Sequence, residues 1–108
     1  MSETLARVRE HVRAGSVRVS QHAIEELFDD GISLEAVVDG VESALVVEDY
    51  PQHARGPCVL CLQRVEADGP VHVLWGIAAQ SPDIATLITA YRPDPERWTD
   101  DLLTRRPR

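Results

Sequence analysis

The sequence predicts an α+β domain: three N-terminal helices packed on one face of a four-stranded antiparallel sheet, followed by an irregular C-terminal tail. Three observations predict it. Apolar residues recur at helical spacing through the first part of the chain and at strand spacing from Ala44 to Tyr91. Glycine- and proline-containing turns punctuate that second part at hairpin distances. With 108 residues, 44% of them hydrophobic, the chain can build one core and not two. The expected layout is a single domain, 1–108, with helices in 3–43, a sheet in 44–91 and a tail in 92–108.

"ETLARVREHVRAG" sets Leu5, Val8 and Val12 on one helical stripe, with Gly15 as its stop. "SVRVS" is short and β-branched, either an extended connector or a brief strand. Ser20 can cap a second helix whose apolar face is Ala23, Ile24, Leu27 and Phe28, ended by Gly31. Ser33 can cap a third through about Glu42, burying Leu34, Val37, Val38 and Val41. "ALVVEDY" then reads as a strand stopped by Pro51, and "QHARGP" as a loop. "CVLCLQRVE" and "VHVLWGIAA" are apolar runs joined by "ADGP", which suits a hairpin turn. "QSPD" turns into "IATLITAY", and the pair Pro93 and Pro95 opens a polar tail with Trp98 as its anchor.

Composition removes several chemistries. All eleven basic residues are arginine, so lysine Schiff bases and lysine nucleophiles are excluded. Cys58 and Cys61 have the spacing of a metal or redox pair, but on a strand they point to opposite faces and read as buried structural residues. His22 with Glu26 is at most half a metal site; no metal and no cofactor are expected. No apolar run is long enough for a membrane span, and the N-terminus lacks a signal-peptide layout, so a cytoplasmic protein is expected. The net charge of −7 is uneven: residues 19–54 carry nine carboxylates and no arginine. Such a face can meet a basic partner, and the acidic total argues against broad nucleic-acid affinity without excluding a local basic groove.

Ser20-x-His22-Ala23, then Gly31-Ile32-Ser33, then Glu48-Asp49-Tyr50-Pro51 resembles the bacterial domain-of-unknown-function family numbered 4258. "PVHVLWGI", "LITAYRPDPERW" and the arginine-rich end are similar to it as well. The likeness runs from about Val12 to Trp98. The family's layout in turn resembles RelE-like and MqsR-like ribonuclease toxins, which implies an RNA substrate by fold-level analogy. Family members commonly carry an arginine a few residues after His-Ala. This chain has Ile24-Glu25-Glu26-Leu27 there instead, which favours a non-catalytic module.

Metal-independent RNA cleavage needs a base for the 2′-hydroxyl, an acid for the leaving oxygen and a cation for the phosphorane. His22 and His72 are the candidates for proton exchange, Tyr91 for a stacking hydrogen-bond donor, and Arg92 for a phosphate anchor, with Arg55 as a substrate-binding residue. His22 lies opposite the apolar face of its helix with Glu26 beside it; His72 starts a strand on the face of Leu74; Tyr91 ends the last strand on the face of Leu87 and Thr89. The ordinary alternatives are a solvated helix face for His22, a hydrogen-bonded core histidine for His72, packing for Tyr91 and a surface ion pair for Arg92. Two functions follow as expectations. One is a toxin-like endoribonuclease or a degenerate relative. The other is an interaction module that uses the acidic 19–54 face toward a cognate protein or in a homodimer.

Overall fold

The computed structural model describes residues 2–65 and 69–107. The chain order is α1 (Glu3–Arg13), β1 (Val17–Val19), α2 (Gln21–Asp30), α3 (Leu34–Asp39), a 3-10 turn (Gly40–Ser43), β2 (Leu45–Tyr50), β3 (Cys58–Val65), β4 (Gly69–Gly76) and β5 (Ala85–Tyr91). The α+β class and the three helices are as the periodicity predicts. The sheet is not four antiparallel strands but five mixed ones, ordered β1-β5-β4-β3-β2. The added strand is "VRV" at 17–19, which pairs parallel with β5. A three-residue strand has too few side chains to show a period, so only its partner makes it a strand. Of the hairpin turn expected at "ADGP", Ala67 and Asp68 lie outside the described residues, and Gly69 and Pro70 open β4.

Each helix starts where a serine can cap it. Ser2, Ser20 and Ser33 accept from the backbone N–H groups of Leu5, Ala23 and Ala36, each satisfying one of the orphan donors of a first turn. Gly31 closes α2 at φ 65, a left-handed conformation that glycine takes without a Cβ penalty. The third helix stops sooner than expected: after Asp39 the chain tightens into the 3-10 turn that holds Val41 and Glu42.

The core lies between the helices and one sheet face, formed by Leu5, Val8, Ala23, Leu27, Val37 and Val41 against strand residues such as Val59, Cys61, Val73, Trp75 and Leu87. Burying such a side chain contributes roughly 1.5–3 kcal/mol. Ile24, Phe28 and Leu34 do not join it; Phe28 is 85% exposed. Ala23 and Leu27 form one line down α2, and Ile24 and Phe28 sit about 100° further round. α2 packs on β5 and buries the Ala23–Leu27 line, which leaves Ile24 and Phe28 exposed.

Arg9 of α1 donates to the carbonyls of Val41 and Ala44, and Arg13 makes a two-pronged contact with Glu42 at 2.8 Å. The basic N-terminal stretch thus offsets part of the acidic run that follows it. The two cysteines take opposite faces as expected: Cys61 lies in the helix-side core, its thiol pushed up to about 12 by burial, and Cys58 lies on the other face.

One polar pair is sealed inside the core. Gln63, fully buried, donates to the Val37 carbonyl at 2.7 Å and accepts from the Trp75 indole at 2.9 Å. Its amide passes under Gly40, where an added Cβ would sit 2.9 Å from the amide nitrogen. A Gln63→Leu substitution removes the partner of both groups and is expected to cost about 2–6 kcal/mol, since each unsatisfied buried group costs roughly 1–3 kcal/mol. Urea unfolding followed by circular dichroism reads this directly.

Candidate functional site

The second sheet face is covered by the C-terminal segment 92–107, a strap of turns that crosses the middle strands. Its anchor is Trp98, 4% exposed, as the sequence suggests. His72 lies beneath it. This imidazole is fully buried, paired across strands with Leu62 and Tyr91. Its Nε2 is 2.7 Å from the Leu102 carbonyl oxygen. A carbonyl only accepts, so Nε2 carries the proton and Nδ1 is left as acceptor. The Tyr91 hydroxyl, 3.4 Å away, donates to it. The Trp98 ring meets His72 edge-on at 4.4 Å and 88°. Burial pushes the His72 pKa below its ordinary 6.5, and the Leu102 hydrogen bond pulls it partly back.

The strap is held at its other end by Arg105, which lies 4.8 Å over the Trp98 ring and grips Glu48 of β2 with two hydrogen bonds at 2.9 and 3.0 Å. Glu48 also accepts from the Tyr50 hydroxyl. The Arg105 guanidinium holds the Glu48 carboxyl below the usual carboxylate range.

A β-bulge places Tyr91 in this setting. Trp75 pairs with Leu87 and Leu74 with Thr89, so β5 carries one extra residue, Ile88. Leu87 faces the helices while Tyr91 faces the strap, contrary to the alternation that would set them on one face. Tyr91, Arg92, Asp94, Arg97, Trp98 and Arg105 line a cleft of about 290 Å³. Arg97 and Arg105 also border an adjoining hollow of about 400 Å³ with Arg106. Arg97 is the most open of the cleft's ion-paired arginines: its side chain is 83% exposed, with Asp94 at 3.8 Å. Arg92 donates through its backbone to the Asp30 carboxylate and through its guanidinium to the Asp30 carbonyl, tying the end of β5 to α2. Burial pushes the Tyr91 phenol up, so it is a neutral donor.

The structure therefore brings His72, Tyr91 and Arg92 together at one end of β5 and leaves His22 and Arg55 elsewhere. The His22 side chain is 69% exposed, with Nε2 3.3 Å from Glu26 Oε1. Glu26 accepts from the Thr89 hydroxyl and from the Ala90 backbone, so it seams α2 to β5. Because Ala23 and Leu27 of α2 belong to the helix-side core, the sheet stands between the two imidazoles. Arg55 lies on the β2–β3 loop, towards the other end of β4. Sequence reasoning gave no site role to Arg97, Arg105 or Glu48; Glu48 and Arg97 stand in motifs that carry the family resemblance, and Arg105 stands in the arginine-rich end. Among the described residues, no group of three or more His, Cys, Asp or Glu side chains is placed to hold a metal ion. No helix there is long and apolar enough to cross a membrane.

The buried imidazole sets a pH dependence. Its folded pKa lies below 6.5, so as pH falls through 6.5 the unfolded chain binds protons the folded chain refuses, and stability drops. Glu48 is depressed and contributes stability that is lost only as pH falls below 4.5, a separate window. Thermal melts between about pH 7.5 and pH 5.5 should show the midpoint falling with pH, and His72→Gln should flatten that slope.

Residues 19–92 match the model of a family described as a domain of unknown function, DUF4258. The match takes in α2, α3, strands β2 to β5 and Arg92, reaches only Val19 of β1, and leaves α1, Arg97, Trp98 and Arg105 outside. A comparison with curated proteins finds no match. With well over half of its length inside that model, the chain belongs to the DUF4258 family.

Proposed function

We propose that the chain is a small metal-independent RNA-binding and RNA-cleaving domain whose working surface is the Tyr91 cleft. The observation that carries this reading is the Tyr91 hydroxyl, backed by the His72 Nδ1 and sharing its cleft with Arg92, Arg97 and Arg105. A phosphodiester in that cleft meets guanidinium groups suited to a phosphate, which offset the charge of the phosphorane. To act, the neutral phenol turns its one proton from the His72 Nδ1 to the leaving 5′-oxygen. Attack by the adjacent 2′-hydroxyl, whose proton passes to solvent water, breaks the bond to the 5′-oxygen. That oxygen leaves as a hydroxyl with the phenol's proton, a 2′,3′-cyclic phosphate remains, and solvent reprotonates the phenolate. With no second imidazole in the cleft, this surface works by positioning and charge stabilisation, and slow turnover follows. The resemblance in layout to RelE-like and MqsR-like bacterial toxins supports the same chemistry, as an analogy of fold.

Incubation of labelled RNA with the protein in EDTA is expected to yield cyclic-phosphate ends. Tyr91→Phe should slow cleavage by about 10²-fold or more if the phenol is the general acid. Arg97→Ala should weaken RNA binding and reduce its salt dependence, while His22→Ala changes neither. RNA left intact at high protein concentration would sink the proposal.

A second reading rests on Phe28. This ring, 85% exposed, and Ile24, 47% exposed, lie one turn apart on α2, flanked by Glu25, Asp29 and Asp30. An apolar strip edged with carboxylates suits a cognate protein that offers an arginine- or lysine-rich segment with an apolar anchor. Such a partner should bind with a Kd that rises with salt, and Phe28→Ala should weaken it by about 2 kcal/mol or more, the range of an aromatic hot spot. Self-association abolished by Phe28→Ala would instead make the occupant a second copy. A Phe28→Ala protein with unchanged association in both assays removes the reading.

A further inference from the structure

We propose a second binding site on the strap-side face of the sheet, remote from the Tyr91 cleft, for a small organic anion with an apolar body, such as a short-chain or single-ring carboxylate. A cavity of about 330 Å³ lies there, roofed by the β2–β3 loop, and its size is within the range of small-ligand pockets.

Its interior is apolar: Cys58 of β3, Leu74 of β4 and Ile88 of β5 line it, with Ile77 just beyond β4. The bulge residue Ile88 adds its side chain to this wall. The space exists because Gly76 has no side chain; a Cβ there would sit 2.7 Å from Ile88 Cδ1. Two polar features break the apolar lining. The first is Thr86, whose buried hydroxyl has no hydrogen-bond partner in the protein among the described residues. A buried hydroxyl without a partner is costly; its oxygen is closed off in the free protein, and a turn about χ1 toward the cavity would bring it to a ligand oxygen. The second is the rim, where His53 and Arg55 stand exposed on the loop. Arg55 offers a two-pronged donor to a carboxylate.

The loop is built to hold that rim in place. Ala79 N–H donates to the Arg55 carbonyl at 3.1 Å and Ile77 N–H to the Pro57 carbonyl at 2.9 Å. Gly56, at φ 120, packs so closely that a Cβ would meet the Ile77 carbonyl oxygen at 2.2 Å. An apolar floor, a hydroxyl awaiting a partner and a guanidinium at the mouth select an amphipathic anion over a neutral solute.

The test is a titration of the isotope-labelled protein with hexanoate and benzoate, against hexanol and benzyl alcohol, followed by amide and methyl shifts of Cys58, Leu74, Thr86 and Ile88. The carboxylates should give saturable shifts and bind about tenfold tighter than the alcohols, as expected for a charge-assisted contact. Arg55→Ala should abolish that preference and leave alcohol binding unchanged. Thr86→Val should raise the melting temperature of the free protein and reduce the rise caused by carboxylate. Absence of saturable shifts, equal affinity for acids and alcohols, or a preference that survives Arg55→Ala overturns the proposal. RNA cleavage plays no part in these readouts, so failure here leaves the Tyr91 cleft unaffected.

Discussion

The hydrogen bond between the His72 imidazole and the Leu102 carbonyl is the constraint on which the strap side of the molecule depends. It places a loop carbonyl over a buried ring nitrogen, and Leu102 reaches that position only by taking φ 63. For an L-residue this left-handed conformation costs roughly 1–2 kcal/mol. The bond, the edge-on Trp98 contact and the Arg105–Glu48 grip offset that cost together. Remove them and the strap loses these hydrogen-bonded, aromatic and ionic ties to the sheet. The cleft would then lose one wall, because Trp98 and Arg105 belong to the strap and Tyr91 belongs to the sheet.

The helix side is organised by a different seam. Ser20 caps α2 and also donates to the Ile88 carbonyl, so one hydroxyl starts the helix and docks it on β5. Glu26 continues the seam to Thr89 and Ala90, and Arg92 finishes it at Asp30. Much of the polar chemistry that marks α2 in the sequence is therefore used to hold the helix down. His22 is attached to this seam through Glu26 rather than to the cleft. A histidine at a helix start next to a family signature invites a catalytic reading, yet here its nearest partner is a structural carboxylate.

The bulge at Ile88 links the two sides. One extra residue in β5 lets Leu87 face the helices while Tyr91 faces the strap, and it sends Ile88 into the Gly76 cavity. Since the side-chain period of a strand is two, a one-residue insertion reverses every face beyond it. The position of the candidate phenol thus depends on a backbone irregularity, not on its own sequence neighbourhood.

The sequence by itself determined the class of the fold, the serine starts of α2 and α3, the glycine stop of α2, the long strands and the opposed cysteines, because propensity, capping and periodicity act over a few residues. His72 on the face of Leu74 and Trp98 as an anchor were legible for the same reason. Four matters were decided only by tertiary structure. The strand at Val17–Val19 needed β5 as its partner, and the face of Tyr91 needed the bulge. The exposure of Phe28 followed from α2 docking on β5 through Ala23 and Leu27. The Glu48–Arg105 contact joins residues 57 positions apart, which no local pattern encodes. Long-range pairing is a property of packed surfaces, and a chain read in order shows the surfaces without showing which of them meet.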